Sequence, residues 1–352
     1  MVAQFFPNFS LIQFFLLVFL STFPTFSGAK VQLTKEINNY CHNLQAKFKD
    51  YRWGESFCQD YQWNHVRNSV QGHPLIWMEY TAEPLTTDSP ANKTAPLKSP
   101  APLEIDTTLV LCGVHGDEIT PIKLCFDILH HLKHNFHTLY TEKRIVVVPV
   151  VNPDSFLKSK PTRTNKNGVD INRNFPTLDW APNAQKMWVR NHKRDIRRFP
   201  GVKPMSEPEV IFQMNLVKRY KPSKIISVHA PLSMLDYDGP GDNPFGRNLA
   251  ATAKTKDPAK IGERAQELLL EMSKSASGYK VRSFRTYPGS LGNWAGIELK
   301  IPTYTLELPT SDPKSHTEYW NLFKGSFHQL FEKNLHHSPQ NQNADSNVVS
   351  SK

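Results

Sequence analysis

"TTLVLCGVHGDEITPIKLCFDILHHLKH", residues 107 to 134, joins an uncharged apolar run to a stretch whose apolar residues recur at helical spacing, with His115 and Glu118 between them. The first part is short and rich in Leu and Val, as a buried strand is, and the second has the period of an amphipathic helix. A strand that feeds directly into a helix predicts further β-α units, and the chain continues the pattern. "RIVVVPVV" (144–151) reads as a buried strand, and "SEPEVIFQMNLVKRY" (206–220) as a helix for which Ser206 and Glu209 predict a capping box. "KIISVH" (224–229) and "TYTLEL" (303–308) read as strands, with helices over "AKIGERAQELLLEMSKSA" (259–276) and "HTEYWNLFKGSFHQLFEKNL" (316–335). Upstream, "HVRNSVQGHPLIWMEYTAE" (65–83) is strand, turn and strand, with Gly72 and Pro74 at the turn. The alternation predicts an α/β fold: a mixed, mostly parallel central sheet flanked by helices on both faces.

With 352 residues, 39% of them hydrophobic, the chain can bury a substantial core and is not wholly disordered. Its formal net charge of +10 is spread along the chain without an arginine tract or nucleic-acid motif, so nucleic acid is not an expected partner. The first 29 residues differ in kind, because the uncharged run "LIQFFLLVFLSTFPTF" is followed by the small residues Ser27 and Ala29. Residues 1–29 therefore read as a cleavable secretory signal. No Lys or Arg precedes the run, which keeps an uncleaved anchor as the alternative, although a spanning helix needs about 20 apolar residues.

Residues 30–63 read as an amino-terminal cap segment and 64–336 as the main domain, with the Pro-, Ser- and Thr-rich 84–104 an exposed flexible loop inserted within it. The sequon at Asn92 in this loop is read as accidental, and 337–352 as a disordered tail. In an oxidising compartment Cys41 and Cys58 can close a short disulfide loop. Cys112 and Cys125, on a strand and a helix, are expected to act as small apolar residues. No Cys-x-x-Cys spacing is present, which argues against a cysteine zinc site.

In an open α/β sheet the loops that leave the carboxyl ends of strands surround the ligand crevice. His115 and Glu118 follow one strand, His229 ends a second, and Glu307 stands near the end of a third. Each alone has a plainer reading: Glu118 as a first-turn helix acid, His229 as a hydrogen-bonded strand end, Glu307 as an ion-pair partner. Together at one sheet edge, two histidines and a glutamate suit a zinc ion with one position open for water. A further carboxylate is then needed to move the water's proton to the leaving amine, and Glu307 is the candidate.

"VVNPDSFLKSKPTRTNKNGVDINRNFP", residues 150 to 176, completes the set. The ordered series of H-x-x-E, N-P-D, "NGVDINRNF", a strand-end His and a Glu after "TYTL" resembles the carboxypeptidase A-like zinc peptidases over roughly residues 64 to 335. The resemblance implies a one-zinc hydrolase with His115, Glu118 and His229 as ligands and Glu307 as general base. It implies that Arg163 stabilises the carbonyl oxyanion, and that Asn172 and Arg173 grip the free carboxylate of the leaving residue. "GVHGDE", "KPMSEPE", "SVHAPL" and "YPGSLGNWAG" further resemble the murein peptide amidase branch, bacterial enzymes that cut between γ-D-glutamate and meso-diaminopimelate in cell-wall peptides. That branch implies a peptidoglycan-derived peptide as substrate and a periplasmic location in a Gram-negative bacterium. A metallocarboxypeptidase trimming ordinary peptides, and a noncatalytic wall-binding protein on the same scaffold, are the alternatives.

Some positions depart from the family pattern. The tyrosine that covers bound substrate falls in an ambiguous register, with Phe284 near the expected offset and Tyr287 the best tyrosine candidate. Asp117 replaces a positive residue and reads most simply as solvent-exposed; Ala230 stands where a polar residue is expected. Asp170 and Asn174 read as Asx turns that hold the loop, with Gly168 supplying a turn. His130, His131, His134 and His137 read as a solvated helix end and following loop, and "RNHKRDIRRFPG" (190–201) as a solvated surface loop.

Overall fold

The computed structural model describes residues 34–82, 105–240, 258–284, 286–315 and 319–336. The expected signal, the 84–104 loop and the 337–352 tail lie outside the described residues. Among the described residues seven strands form one sheet: β1 (Asn64–Asn68), β2 (Pro74–Thr81), β3 (Asp106–Leu111), β4 (Lys143–Val148), β5 (Lys224–His229), β6 (Met234–Asp238) and β7 (Thr303–Glu307), in the order β1-β2-β4-β3-β5-β7-β6. The central β4-β3-β5-β7 pairs are parallel, and β1, β2 and β6 add to the edges antiparallel. The sheet is mixed, as the alternation predicts, and its parallel part is the strands joined by helices.

Helices cover both faces: α1 (Lys35–Asp50), α2 (Thr120–Leu139), the short α3 (Pro153–Phe156), α4 (Trp180–Arg190), α5 (Pro208–Tyr220), α6 (Pro258–Ser275) and α7 (Tyr319–Glu332). The pleat of the strands divides the core in two. Val110, Ile145, Val147, Ile226 and Val228 face α1, α2, α6 and α7, whereas Leu109, Leu111, Val146, Val148 and Ile225 face α5 and a π-helical segment, Gly292–Glu298. α1 shares the first core, with Phe48 edge-on to Phe126 at 5.0 Å, so residues 35–50 pack as part of the body.

The structure corrects several readings. Cys112 and Cys125 are not free apolar residues; they form a disulfide, as Cys41 and Cys58 do. The Ser206–Glu209 capping box is not made: α5 starts at Pro208, Ser206 bonds Asn174 and Glu207, and Glu209 turns to Asn165. His134 and His137 lie within α2, which runs on to Leu139. Asp117 is not a free surface acid, because Arg197 Nη1 donates to its Oδ2 at 2.7 Å.

Candidate active site

Strand order turns at β3, which has β4 on one side and β5 on the other, and such a switch opens a crevice beyond the carboxyl ends. His115 lies in the loop after β3, while His229 ends β5 directly opposite Glu307, the last residue of β7. A cleft of about 680 Å³ opens there, lined by His115, Glu118, Arg163, Asn172, Arg173, His229, Tyr287 and Glu307 among others. Every site residue expected from the sequence is thus brought to one cavity. Gly116 lets the first loop close: a Cβ on it would stand 2.6 Å from the backbone nitrogen of Phe156.

Glu118 is shared by the two histidines, with Oε1 2.7 Å from His115 Nδ1 and Oε2 2.8 Å from His229 Nδ1. The far nitrogen of each ring is held from behind, His115 Nε2 by Asp170 Oδ1 at 3.1 Å and His229 Nε2 by Ser227 Oγ at 2.8 Å. Such outer partners fix the ring orientation in metal sites. The three residues are buried, and their ligand atoms lie within 4.8 Å of one another. Burial opposes ionisation of Glu118, but His115 and His229 beside it hold its carboxyl well below the usual range. Two inward imidazole nitrogens and an ionised carboxylate fit a zinc ion.

Arg163 stands beside this trio, Nη1 3.0 Å from Glu118 Oε1 and Nε 3.0 Å from Asp170 Oδ2. Asp170 also accepts from the Asn172 backbone N–H at 3.1 Å, so the Asx turn read in the sequence is present and is only part of its role. Asn172 Oδ1 accepts from the Leu291 N–H at 2.8 Å. Arg173 lies with its guanidinium 4.3 Å from the Tyr287 ring centroid, and among the described residues its buried Nε has no hydrogen-bond partner. Burial lowers its pKa in spite of Asp170 nearby, a penalty that a bound anion would relieve. Gly289, at φ +75°, allows the backbone of this segment to press against the Arg173 carbonyl. Glu307 is half-buried; its Oε2 accepts from the Leu232 N–H at 3.3 Å, and burial, with Glu118 adding, raises its pKa.

Other residues of the cleft escaped the sequence reading. Asp195, Arg197 and Arg198 belong to the segment read as a solvated loop, and here they form one wall. Ser227 precedes His229 by two residues on the same strand face, a period-2 signal that could have found it. Asp236 and Asp238 share that period on β6.

An α/β sheet with an oriented His–Glu–His trio at its switch point, and a carboxylate and arginines around it, defines a metal-dependent hydrolase. The match to the zinc carboxypeptidase family over residues 61–331 then makes the assignment: the chain belongs to that family. Murein peptide amidase A of Escherichia coli is 30% identical over 249 residues, 70% of this chain and 80% of that one. The protein of the same name from Vibrio campbellii is 29% identical over 218 residues, 60% of this chain and 73% of that one. Among solved structures, bovine thrombin-activatable fibrinolysis inhibitor matches with a TM-score of 0.57 at 16% identity, covering 85% of this chain and 95% of that chain, a likeness of fold.

Proposed function

We propose that this zinc peptidase hydrolyses the amide bond between γ-D-glutamate and meso-diaminopimelate in peptidoglycan peptides, with His115, Glu118 and His229 as the ligands of one zinc ion. The observation that carries the reading is the convergence of that trio with Glu307, Arg163, Asn172 and Arg173 in one cleft, on a chain similar to murein peptide amidase A. A zinc ion held there supplies Lewis acidity, polarising the scissile carbonyl and making water a stronger acid. Glu307 takes the proton of the attacking water and returns it to the departing amine, and the half-buried setting that raises its pKa suits it to both tasks. Arg163, kept charged by Asp170 and Glu118 against the cost of its burial, offers its guanidinium to the oxyanion. Asn172 and Arg173 hold the free carboxylate of the leaving residue, with the Tyr287 ring against the guanidinium. Asp170 and Ser227 keep the two imidazoles turned.

Two buried disulfides support folding in an oxidising compartment, which agrees with export directed by residues 1–29 and a periplasmic site of action. Among the described residues no helix is long and apolar enough to cross a membrane. We further assign 30–63 as the cap segment and 64–336 as the catalytic domain. The deciding experiment incubates the zinc-loaded protein with L-Ala-γ-D-Glu-meso-diaminopimelate and reads the products by mass spectrometry. Release of diaminopimelate that a chelator abolishes is the expected result. Release of only an ordinary carboxyl-terminal residue from a control peptide would move the activity to a general metallocarboxypeptidase.

A further inference from the structure

The positive charge that reads as spread along the chain has one dense patch. Residues 186–203, the end of α4 and the chain after it, hold seven Lys and Arg against a single acid, Asp195. They form an ordered lobe on the rim of the cleft. The Trp188 ring packs on Phe199 at 4.8 Å between centroids, its Nε1 donates to the Asp195 carbonyl at 2.8 Å, and the Gln185 side chain donates to the Gly201 carbonyl. The one acid is used inside the lobe: Asp195 Oδ1 accepts from the Arg197 N–H at 2.9 Å, and Oδ2 lies 3.5 Å from Arg198 Nε. Arg197 itself pairs with Asp117. The other five cations, Lys186, Arg190, Lys193, Arg194 and Lys203, are exposed, and among the described residues none of them forms an ion pair.

Two further features of the lobe point outward. Lys193 and Arg194, at φ +49° and +57°, are consecutive residues in the left-handed region, where Gly or Asn is the cheaper choice. A turn that had only to reverse the chain would gain nothing from two long cations there, and strain of this kind persists where the side chains serve a function. Ile196 and Val202 are 78% and 81% exposed, more than any other large hydrophobic residue among those described. Aliphatic side chains set among unpaired cations suit a surface with negative headgroups over an apolar interior. A soluble polyanion would satisfy the cations and leave Ile196 and Val202 in water.

We infer that this lobe docks the protein on a bilayer surface rich in anionic phospholipid, with the five unpaired cations on the headgroups and Ile196 and Val202 entering the headgroup layer. Asp195, Arg197 and Arg198 of the same lobe wall the cleft, so docking brings the mouth of the cleft to the membrane. The docking is independent of the proposed substrate and needs no hydrolysis. Flotation of the full chain with vesicles of phosphatidylcholine, or of phosphatidylcholine mixed equally with phosphatidylglycerol, tests it. Binding to the mixed vesicles is expected to be about 100-fold tighter than to the neutral ones and to weaken as salt is raised. Any contribution from the apolar residues 11–26 is common to both vesicles and cancels in the comparison. In Arg190→Gln/Lys193→Gln/Arg194→Gln the affinity for mixed vesicles is expected to fall about 100-fold, about fivefold for each cation removed. Ile196→Ser/Val202→Ser is expected to lose about tenfold, less than full burial of two aliphatic side chains would give. Thermal melting at the wild-type temperature shows that each variant is folded, and the wild-type comparison decides alone should one not fold. Equal binding of the wild type to both vesicles overturns the inference, as does a folded triple variant that binds like wild type. A folded Ile196→Ser/Val202→Ser protein with wild-type affinity also overturns it, because the lobe then reads charge alone and suits an anionic polymer.

Discussion

Asp170 meets three groups with two oxygens: His115 Nε2, the Asn172 N–H and Arg163 Nε. It therefore couples a proposed zinc ligand, the arginine proposed for the oxyanion and the loop proposed to grip the carboxylate, and its removal should be felt at the metal. An Asn at this position can place its oxygen toward only one side, so Asp170→Asn is expected to lower zinc affinity about 10- to 100-fold. Competition with a chromophoric chelator measures this, and an unchanged affinity would confine Asp170 to holding its loop. Glu307 makes the opposite prediction. Its contact is with the Leu232 N–H and not with the trio, so Glu307→Gln should keep a full complement of zinc while kcat falls roughly 1000-fold. Metal analysis and turnover on the same preparation check it, and a near-normal rate in zinc-loaded protein removes Glu307 from the mechanism.

The loop that carries Arg163, Asn172 and Arg173 has little regular structure of its own and is braced on the start of α5. Asn165 Nδ2 donates to Glu207 Oε2 at 2.7 Å and to Glu209 Oε2 at 2.9 Å, and Asn174 Nδ2 donates to the carbonyls of Pro200 and Lys203, each at 2.8 Å. Here lies the difference between what was legible and what was not. The central strands and the helices α2, α5, α6 and α7 follow from local period, whereas β6 and α4 were not read from it, and His115, Glu118, His229 and Glu307 could be placed because each sits at or shortly after a strand end. The Ser206–Glu209 capping box failed because Glu209 accepts from Asn165, some forty positions away, while the Ser206 hydroxyl accepts from Asn174, some thirty away, and donates to Glu207, and no local pattern names the distant partners. Glu209 is fully buried, and that burial, against the Asn165 hydrogen bond, lifts its carboxyl from 4.5 to about 7. A raised folded-state pKa means that the folded protein holds the proton more tightly. The stabilisation is complete below 4.5 and is lost as pH rises through about 7. Glu209→Gln cannot ionise, so its stability should fall less than that of wild type between those limits, by up to about 3 kcal/mol. Urea unfolding of both proteins at the two ends of the range measures the difference, and parallel pH profiles would contradict it.

Across the whole molecule, the two disulfides close loops of similar length, with sequence separations of 17 and 13, but they tie different things. Cys41–Cys58 fastens α1 to the segment before β1. Cys112–Cys125 fastens the exit of β3 to α2, spanning the reversal that carries His115 and Glu118. The same reversal hid the second bridge from the sequence. A strand residue and a helix residue 13 positions apart have no evident proximity until the chain folds back to a Cα–Cα distance of 6.3 Å. In the chain-entropy account loops of this size contribute about 3 kcal/mol each, so the paired variants Cys41→Ser/Cys58→Ser and Cys112→Ser/Cys125→Ser should lose comparable stability. Their effect on the metal should differ. Loss of the second bridge lets β3 and α2 shift against each other beneath the trio, and zinc affinity is expected to fall about tenfold, the effect of a loosened support around a ligand set. Loss of the first leaves that seam untouched, and affinity should stay at the wild-type value. Zinc titration of both folded variants beside their unfolding curves separates the two contributions. Equal affinities at equal loss of stability would show that packing of α2 alone, with Ile122, Leu129 and Leu132 fully buried, holds the seam in register.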